Sequence, residues 1–221
     1  MTAERPTGAS TSPIAPDVPA GRLVATLGAG GALAGLLIVL AYQGTLPAIE
    51  RNRAARTDRA IHDVLRGLDR YDTLYLYEGA LTAQLPPGVD DRPLERVYAG
   101  YDAAGARLGF AIATGEPGFQ DVIRILFGFD PVTRTTLGLT ILSSLETPGL
   151  GDKINAEDWR AQFRGRKTPL VRVKPGTATQ PNEVHAISGA TISSRTVIAA
   201  VNKGVERWAP LLDAYLGKDR P

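Results

Sequence analysis

The stretch HAISGATISSRTV, His185 to Val197, places hydroxyls at Ser188, Thr191, Ser193 and Ser194 around the small pair Gly189 and Ala190. An amphipathic run follows at once, so the segment reads as a helix start. Two kinds of chemistry suit it. As plain structure, Ser188 caps the helix and its small neighbours allow a tight turn into it. As a ligand site, the helix end offers free N–H groups and the positive end of its dipole, which together favour a phosphate. The missing side chain of Gly189 would let a bulky group approach the backbone. A cap accounts for Ser188 but not for so many hydroxyls, and the residues alone leave both readings open.

A second segment, ETPGLGDK, runs from Glu146 to Lys153. Gly149 and Gly151 permit backbone shapes that other residues resist, and Pro148 stiffens the approach. Leu150 between them suits contact with a flat aromatic ring; the plain alternative is a tight turn ending a strand. GEPGFQ, Gly115 to Gln120, is a comparable turn.

The composition removes other chemistries. There is no cysteine, which excludes thiol catalysis, disulfides, iron–sulfur ligation and thiolate zinc sites. His62 and His185 are the only imidazoles, so a metal site would rest on carboxylates. A net charge of +2, with no basic run interleaved with aromatics, argues against nucleic acid. No G-x-G-x-x-G follows a strand, so nothing here binds a nicotinamide. No turnover is expected of the chain alone.

These segments need elements to hold them. Residues 1–21 read as a disordered tail rich in Pro, Ala, Ser and Thr. Residues 22–46 read as a transmembrane helix within an uncharged run from Leu23 to Ile49. About twenty helical residues span roughly 30 Å, the thickness of a bilayer core. Inside it, Gly31 and Gly35, Gly28 and Ala32, and Gly30 and Ala34 are spaced for close helix approach. Residues 47–93 are expected to form a helical linker as far as about Leu68, then a looser stretch closed by the loop PPGVDDRP. Residues 94–217 form the main domain. Arg96 to Ser144 reads as an antiparallel meander, NAEDWRAQF as a short helix and PLVRV as one more strand. A terminal helix carries Val197, Ile198, Val201, Val205, Trp208 and Leu212 on one face. The fold class is α+β, an antiparallel sheet with flanking helices behind one membrane span.

SGAT near the C-terminus, about forty residues after ETPGLGDKI and behind a single membrane span, resembles the covalently flavinylated FMN-binding domain. That domain occurs in the G subunit of the Rnf electron-transport complex and in the C subunit of the sodium-translocating NADH:quinone reductase. The likeness covers roughly Tyr98 to Trp208 plus the membrane helix. The spelling of ETPGLGDKI and the overall length look most like the Rnf G subunit.

The resemblance implies a membrane-anchored flavoprotein that relays electrons within an ion-translocating complex. Thr191, the last residue of the motif, would carry FMN as a phosphoester, with Ser188, Gly189 and Ala190 beside it. Glu146, Thr147, Pro148, Gly149, Leu150 and Gly151 would line the flavin, and Lys153 is a further polar candidate. A flavin transferase would make the bond from FAD, and other membrane subunits would be partners. His185 stands where the family pattern usually has an acidic residue; it reads as polar surface and not as a base for Thr191. The alternatives are the C subunit of the quinone reductase and a membrane-anchored binding module without flavin.

The resemblance also implies a single-pass protein of the inner (cytoplasmic) membrane with its C-terminal domain on the periplasmic side. Charge counting points the other way. Arg5 and Arg22 precede the helix, whereas Arg51, Arg53, Arg56 and Arg59 follow it.

Overall fold

A computed structural model describes residues 19–218; most of the expected tail lies outside the described residues. The chain divides into two units, Met1–Asn52 and Arg53–Pro221, and helix α1 (Ala20–Val64) contributes to both.

In the first unit, α1 exposes Leu23, Val24, Leu27, Leu36, Leu37 and Ile38. It is long and apolar enough to cross a membrane. The glycines at four-residue spacing have nothing within 4 Å of where a side chain would sit. Pro47 falls inside α1, and the helix continues through it.

The second unit is built on a six-stranded antiparallel sheet of order β2-β1-β3-β4-β5-β6. Its strands are β1 (Arg70–Tyr77), β2 (Ala80–Thr82), β3 (Arg96–Tyr101), β4 (Arg107–Pro117), β5 (Val122–Asp130) and β6 (Thr135–Ser143). The last four are the expected meander. The first two correct the sequence reading, which has a loose stretch there. RYDTLYLY alternates aromatic or β-branched residues with leucines, a pattern that suits a strand. The turn to β2 is Glu78-Gly79, both at positive φ, as a tight hairpin turn of the primed type requires. Glutamate is an unusual residue for the first of these positions, which hides the signal.

Beyond β6 come a 3-10 helix (Gly151–Asn155), α2 (Glu157–Ala161), β7 (Val171–Val173), β8 (Glu183–His185) and α3 (Thr191–Lys218). β7 and β8 form a small parallel pair, of which only β7 is expected from sequence. Asn202 of α3 accepts from Leu170 N–H at 2.7 Å and donates to its carbonyl at 2.9 Å, tying this segment to the helix.

The sheet buries both faces. On one side, Val97, Phe110, Ile112, Ile125, Phe127 and Phe129 meet Val197, Ile198, Val201, Trp208 and Leu212 of α3. Each such side chain contributes about 1.5–3 kcal/mol when fully buried. On the other side, Ala60, Ile61, Val64 and Leu65 pack against Ala111 and Leu126. Arg160 of α2 bonds Asp63 at 3.2 Å, and Thr140 of β6 donates to the same carboxylate oxygen at 2.6 Å.

The end of α1 sits close to the sheet because two glycines face each other across β5 and β6, Gly128 and Gly138. A Cβ on Gly128 would lie 2.7 Å from the Val64 carbonyl oxygen, and one on Gly138 would lie 3.1 Å from Val64 Cα. Gly128→Ala is therefore expected to destabilise the protein by about 1–3 kcal/mol through overpacking. At about 2–4 °C per kcal/mol for a domain of this size, the melting temperature drops by several degrees. Gly217→Ala, at a helical position with nothing within 4 Å, should cost nothing. Equal melting temperatures for the two variants would refute this account of the α1 seat.

Candidate functional site

The turn between β4 and β5 and the exit from β6 lie at the same end of the sheet, because Arg124 pairs with Ser143. The start of α3 joins them there through one side chain. Glu146 is 6 % exposed. Its Oε1 accepts from the N–H groups of Phe119 at 2.8 Å and Gln120 at 3.2 Å. Its Oε2 accepts from the Ser193 hydroxyl. A buried carboxylate is costly unless charge-assisted hydrogen bonds surround it, and these supply them. Gly151 is required by the same contact: a Cβ there would stand 2.8 Å from both Glu146 Cβ and Ser193 Oγ.

The first residue of α3 is Thr191. The turn before it places Gly189 at φ +80°, a conformation that glycine adopts without strain. Ala190 N–H bonds back to Ile187 O at 3.1 Å, and Ser194 N–H to Ala190 O at 3.0 Å. The side-chain bonds that stitch this turn are not those of Ser188, the expected cap. Ser194 Oγ donates to Ala190 O and accepts from Ile187 N–H, both at 2.9 Å. Thr191, Ile192 and Ser193 thus keep the open N–H groups of the helix end.

Burial sorts the hydroxyls. Ser193 and Ser194 are buried and bonded as described, and Thr196 is buried and donates to Pro117 O at 3.0 Å. Ser188 and Thr191 are exposed. Of these two only Thr191 lines a pocket of about 360 Å³, which Phe119, Leu150 and Ile192 share with it.

The three apolar residues of this pocket are open to solvent, at 65 %, 47 % and 40 % exposure. Leu150 closes over Gly189, where an added Cβ would come within 3.4 Å of its Cδ2. The volume lies within the range of small-molecule sites, about 300–1,000 Å³. An apolar slot beside a helix N-terminus with a free hydroxyl fits a flat ring joined to a phosphate. Among the described residues no cluster of His, Asp or Glu could hold a metal ion.

The structure gathers Glu146, Thr147, Leu150, Gly189, Ala190 and Thr191 around this pocket. Gly151 lies buried beneath it against Glu146, whereas Pro148, Gly149, Lys153 and Ser188 are exposed and do not line it. Sequence reasoning left Ile192 and Ser193 unassigned. Ile192 carried a signal, being a large apolar residue on the side of α3 opposite its buried face.

His185 has other work. Its N–H donates to Gln162 Oε1 at 2.9 Å, its carbonyl accepts from Trp159 Nε1 at 2.8 Å, and its Nδ1 accepts from Gly176 N–H at 3.1 Å. It is half-buried and outside the pocket, neither simple surface nor a base for Thr191. On the same strand, Glu183 accepts from the N–H groups of Thr179 at 2.6 Å and Gln180 at 3.0 Å. These bonds hold its carboxyl below the usual range.

The FMN-binding domain family matches residues 118–206, from the β4–β5 turn into α3. The chain is 27% identical over 187 residues to the G subunit of the ion-translocating oxidoreductase complex of Methanosarcina acetivorans, covering 84% of this chain and 92% of that one. It is 30% identical over 183 residues to the corresponding G subunit of Cereibacter sphaeroides, covering 79% and 81%. With the G subunit of the Na(+)-translocating ferredoxin:NAD(+) oxidoreductase complex of Acetobacterium woodii it shares 38% over 121 residues, 53% of this chain and 57% of that one. The crystal structure of Shewanella oneidensis NqrC has the same fold, with a TM-score of 0.56 at 20% identity over 73% of this chain and 99% of that one. With 30% identity to such a subunit over 79% of its length, the chain belongs to the family of G subunits of ion-translocating oxidoreductase complexes.

Proposed function

We propose that this chain is a membrane-anchored flavoprotein that relays electrons through FMN inside an ion-translocating oxidoreductase complex, and that the flavin is joined by a phosphoester to Thr191. The observation that carries the attachment site is the sorting of hydroxyls. Among the serines and threonines at the start of α3, Thr191 alone is both exposed and on the pocket wall. The open N–H groups of the helix end suit the phosphate. Phe119, Leu150 and Ile192 supply the apolar walls that a planar ring needs. The flavin, when bound, supplies the redox chemistry. The chain's own residues position it, shield it and hold its phosphate. Both Glu146 oxygens are engaged by protein donors, which speaks against Glu146 as the base for attachment; in this reading a flavin transferase, with FAD as donor, makes the bond. The other partners are neighbouring membrane subunits of the complex.

Thr191→Val keeps the side-chain shape and removes the hydroxyl. After co-expression with a flavin transferase, the intact mass of this variant should lack the FMN addition, while Ser188→Ala should retain it. An FMN addition on Thr191→Val would assign the bond elsewhere.

Leu150→Ala should keep the covalent flavin and loosen its ring, with a visible change in absorption. Leu150 is 47 % exposed, so the part of it that a ring would cover contributes less than a fully buried leucine, about 1.5–3 kcal/mol. An unchanged flavin spectrum would take Leu150 off the ring.

The orientation we infer places the N-terminal tail inside and residues from about Pro47 onward outside, periplasmic in a bacterium with two membranes. Against it stand Arg51, Arg53, Arg56 and Arg59. In its favour, these arginines share a helix with Glu50 and Asp58, and partner subunits can fix an orientation that charge bias alone would not. A C-terminal alkaline phosphatase fusion should be active, and protease added to spheroplasts should digest the domain. An inactive fusion and a protected domain would reverse the assignment.

A further inference from the structure

We propose that Glu146 is a positioning residue whose fixed negative charge at the wall of the Thr191 pocket lowers the reduction potential of the flavin held there. The inference rests on the flavin reading above and goes beyond it by assigning a function to a side chain that the attachment chemistry does not use.

Three observations carry it. Glu146 is 6 % exposed and lines the same pocket as Thr191. Its oxygens face donors: two backbone N–H groups that have no means of accepting a proton, and the Ser193 hydroxyl. Finally, Glu146 takes part in none of the ion pairs found among the described residues, so no Lys or Arg neutralises it at contact distance.

The arrangement also prevents the charge from moving away. The donors belong to the β4–β5 turn and to the first turn of α3, and Glu146 itself opens the loop that carries Leu150. Each segment places a residue on the pocket wall: Phe119, Leu150 and Thr191. A carboxylate held from three sides does not swing out to water when the neighbouring ring changes charge. Two electrons entering an isoalloxazine ring with two protons leave its charge unchanged; with one proton they leave it one unit more negative. A fixed anion close by disfavours the second course and so makes the ring harder to reduce. In the complex the electrons come from a neighbouring redox partner, and in the test they come from dithionite.

Glu146→Gln separates charge from shape. Its amide oxygen still accepts from Phe119 and Gln120, and its amide nitrogen can donate to Ser193 Oγ. Ser193→Ala does the reverse, removing one bond and keeping the carboxylate. The full chain, flavinylated in cells and purified in detergent, is titrated spectroelectrochemically as wild type and as both variants, with thermal melts to compare folding. The Glu146→Gln potential is expected to shift positive, and the shift should persist at high salt because buried charges are screened weakly. Ser193→Ala should show no positive shift. Equal potentials for wild type and Glu146→Gln, or the same positive shift in Ser193→Ala, would overturn the proposal. If Glu146→Gln does not take up flavin, the wild type decides: its potential should lie below that of free FMN in the same buffer, and a value at or above it refutes the idea. A wild type that carries no flavin at all would instead sink the functional reading on which this one stands.

Discussion

A buried carboxylate must be satisfied, and the site follows from how this one is. Glu146 draws on donors that lie 26–27 residues before it and 47 residues after it in the chain. No local structure could bring these together. The sheet does so by running β4, β5 and β6 as neighbours, which puts one hairpin turn and one strand exit at a common end. The packing of α3 across the sheet then delivers its first turn to the same place. Removing water from the carboxylate is unfavourable, so the three segments are held where their donors reach it. Gly151 is the steric counterpart, since any side chain there would strike Glu146.

The same helix start serves two purposes by dividing its hydroxyls between them. Ser193, Ser194 and Thr196 point inward and are consumed by bonds to Glu146, to the Ala190 turn and to the Pro117 carbonyl. These bonds leave the inner side of α3 without unsatisfied polar groups. Thr191 is left outside this network. Ser188 is exposed as well but does not line the pocket, so Thr191 is the exposed hydroxyl of this segment that stands on the pocket wall.

Much of this was legible in the sequence where a pattern is local. The membrane span follows from the length of an uncharged run, and the meander from Arg96 onward and the amphipathic face of α3 follow from periodicity. SGAT and ETPGLG marked the two loops that share the pocket. What escaped were features set by tertiary contact. The bonds of Glu146 to Phe119, Gln120 and Ser193 are all long-range, so its part in joining three segments has no local signal. Ser188 looked like a cap because it has the right residue type, yet the hydroxyl that closes the turn comes from Ser194, inside the helix. The β1–β2 hairpin was hidden by a Glu-Gly turn, and β8 by being three residues long and paired only with β7.

Thr191 opens a helix of 28 residues whose inner face is fixed in the core, so its Cα has little freedom. Its side chain is β-branched, and in a helix threonine settles into two rotamers about its first bond. A group joined to its Oγ therefore does not swivel freely. The restraint covers the first bond of the side chain only, so the helix fixes where such a group starts, and the walls Phe119, Leu150 and Ile192 must fix where it points.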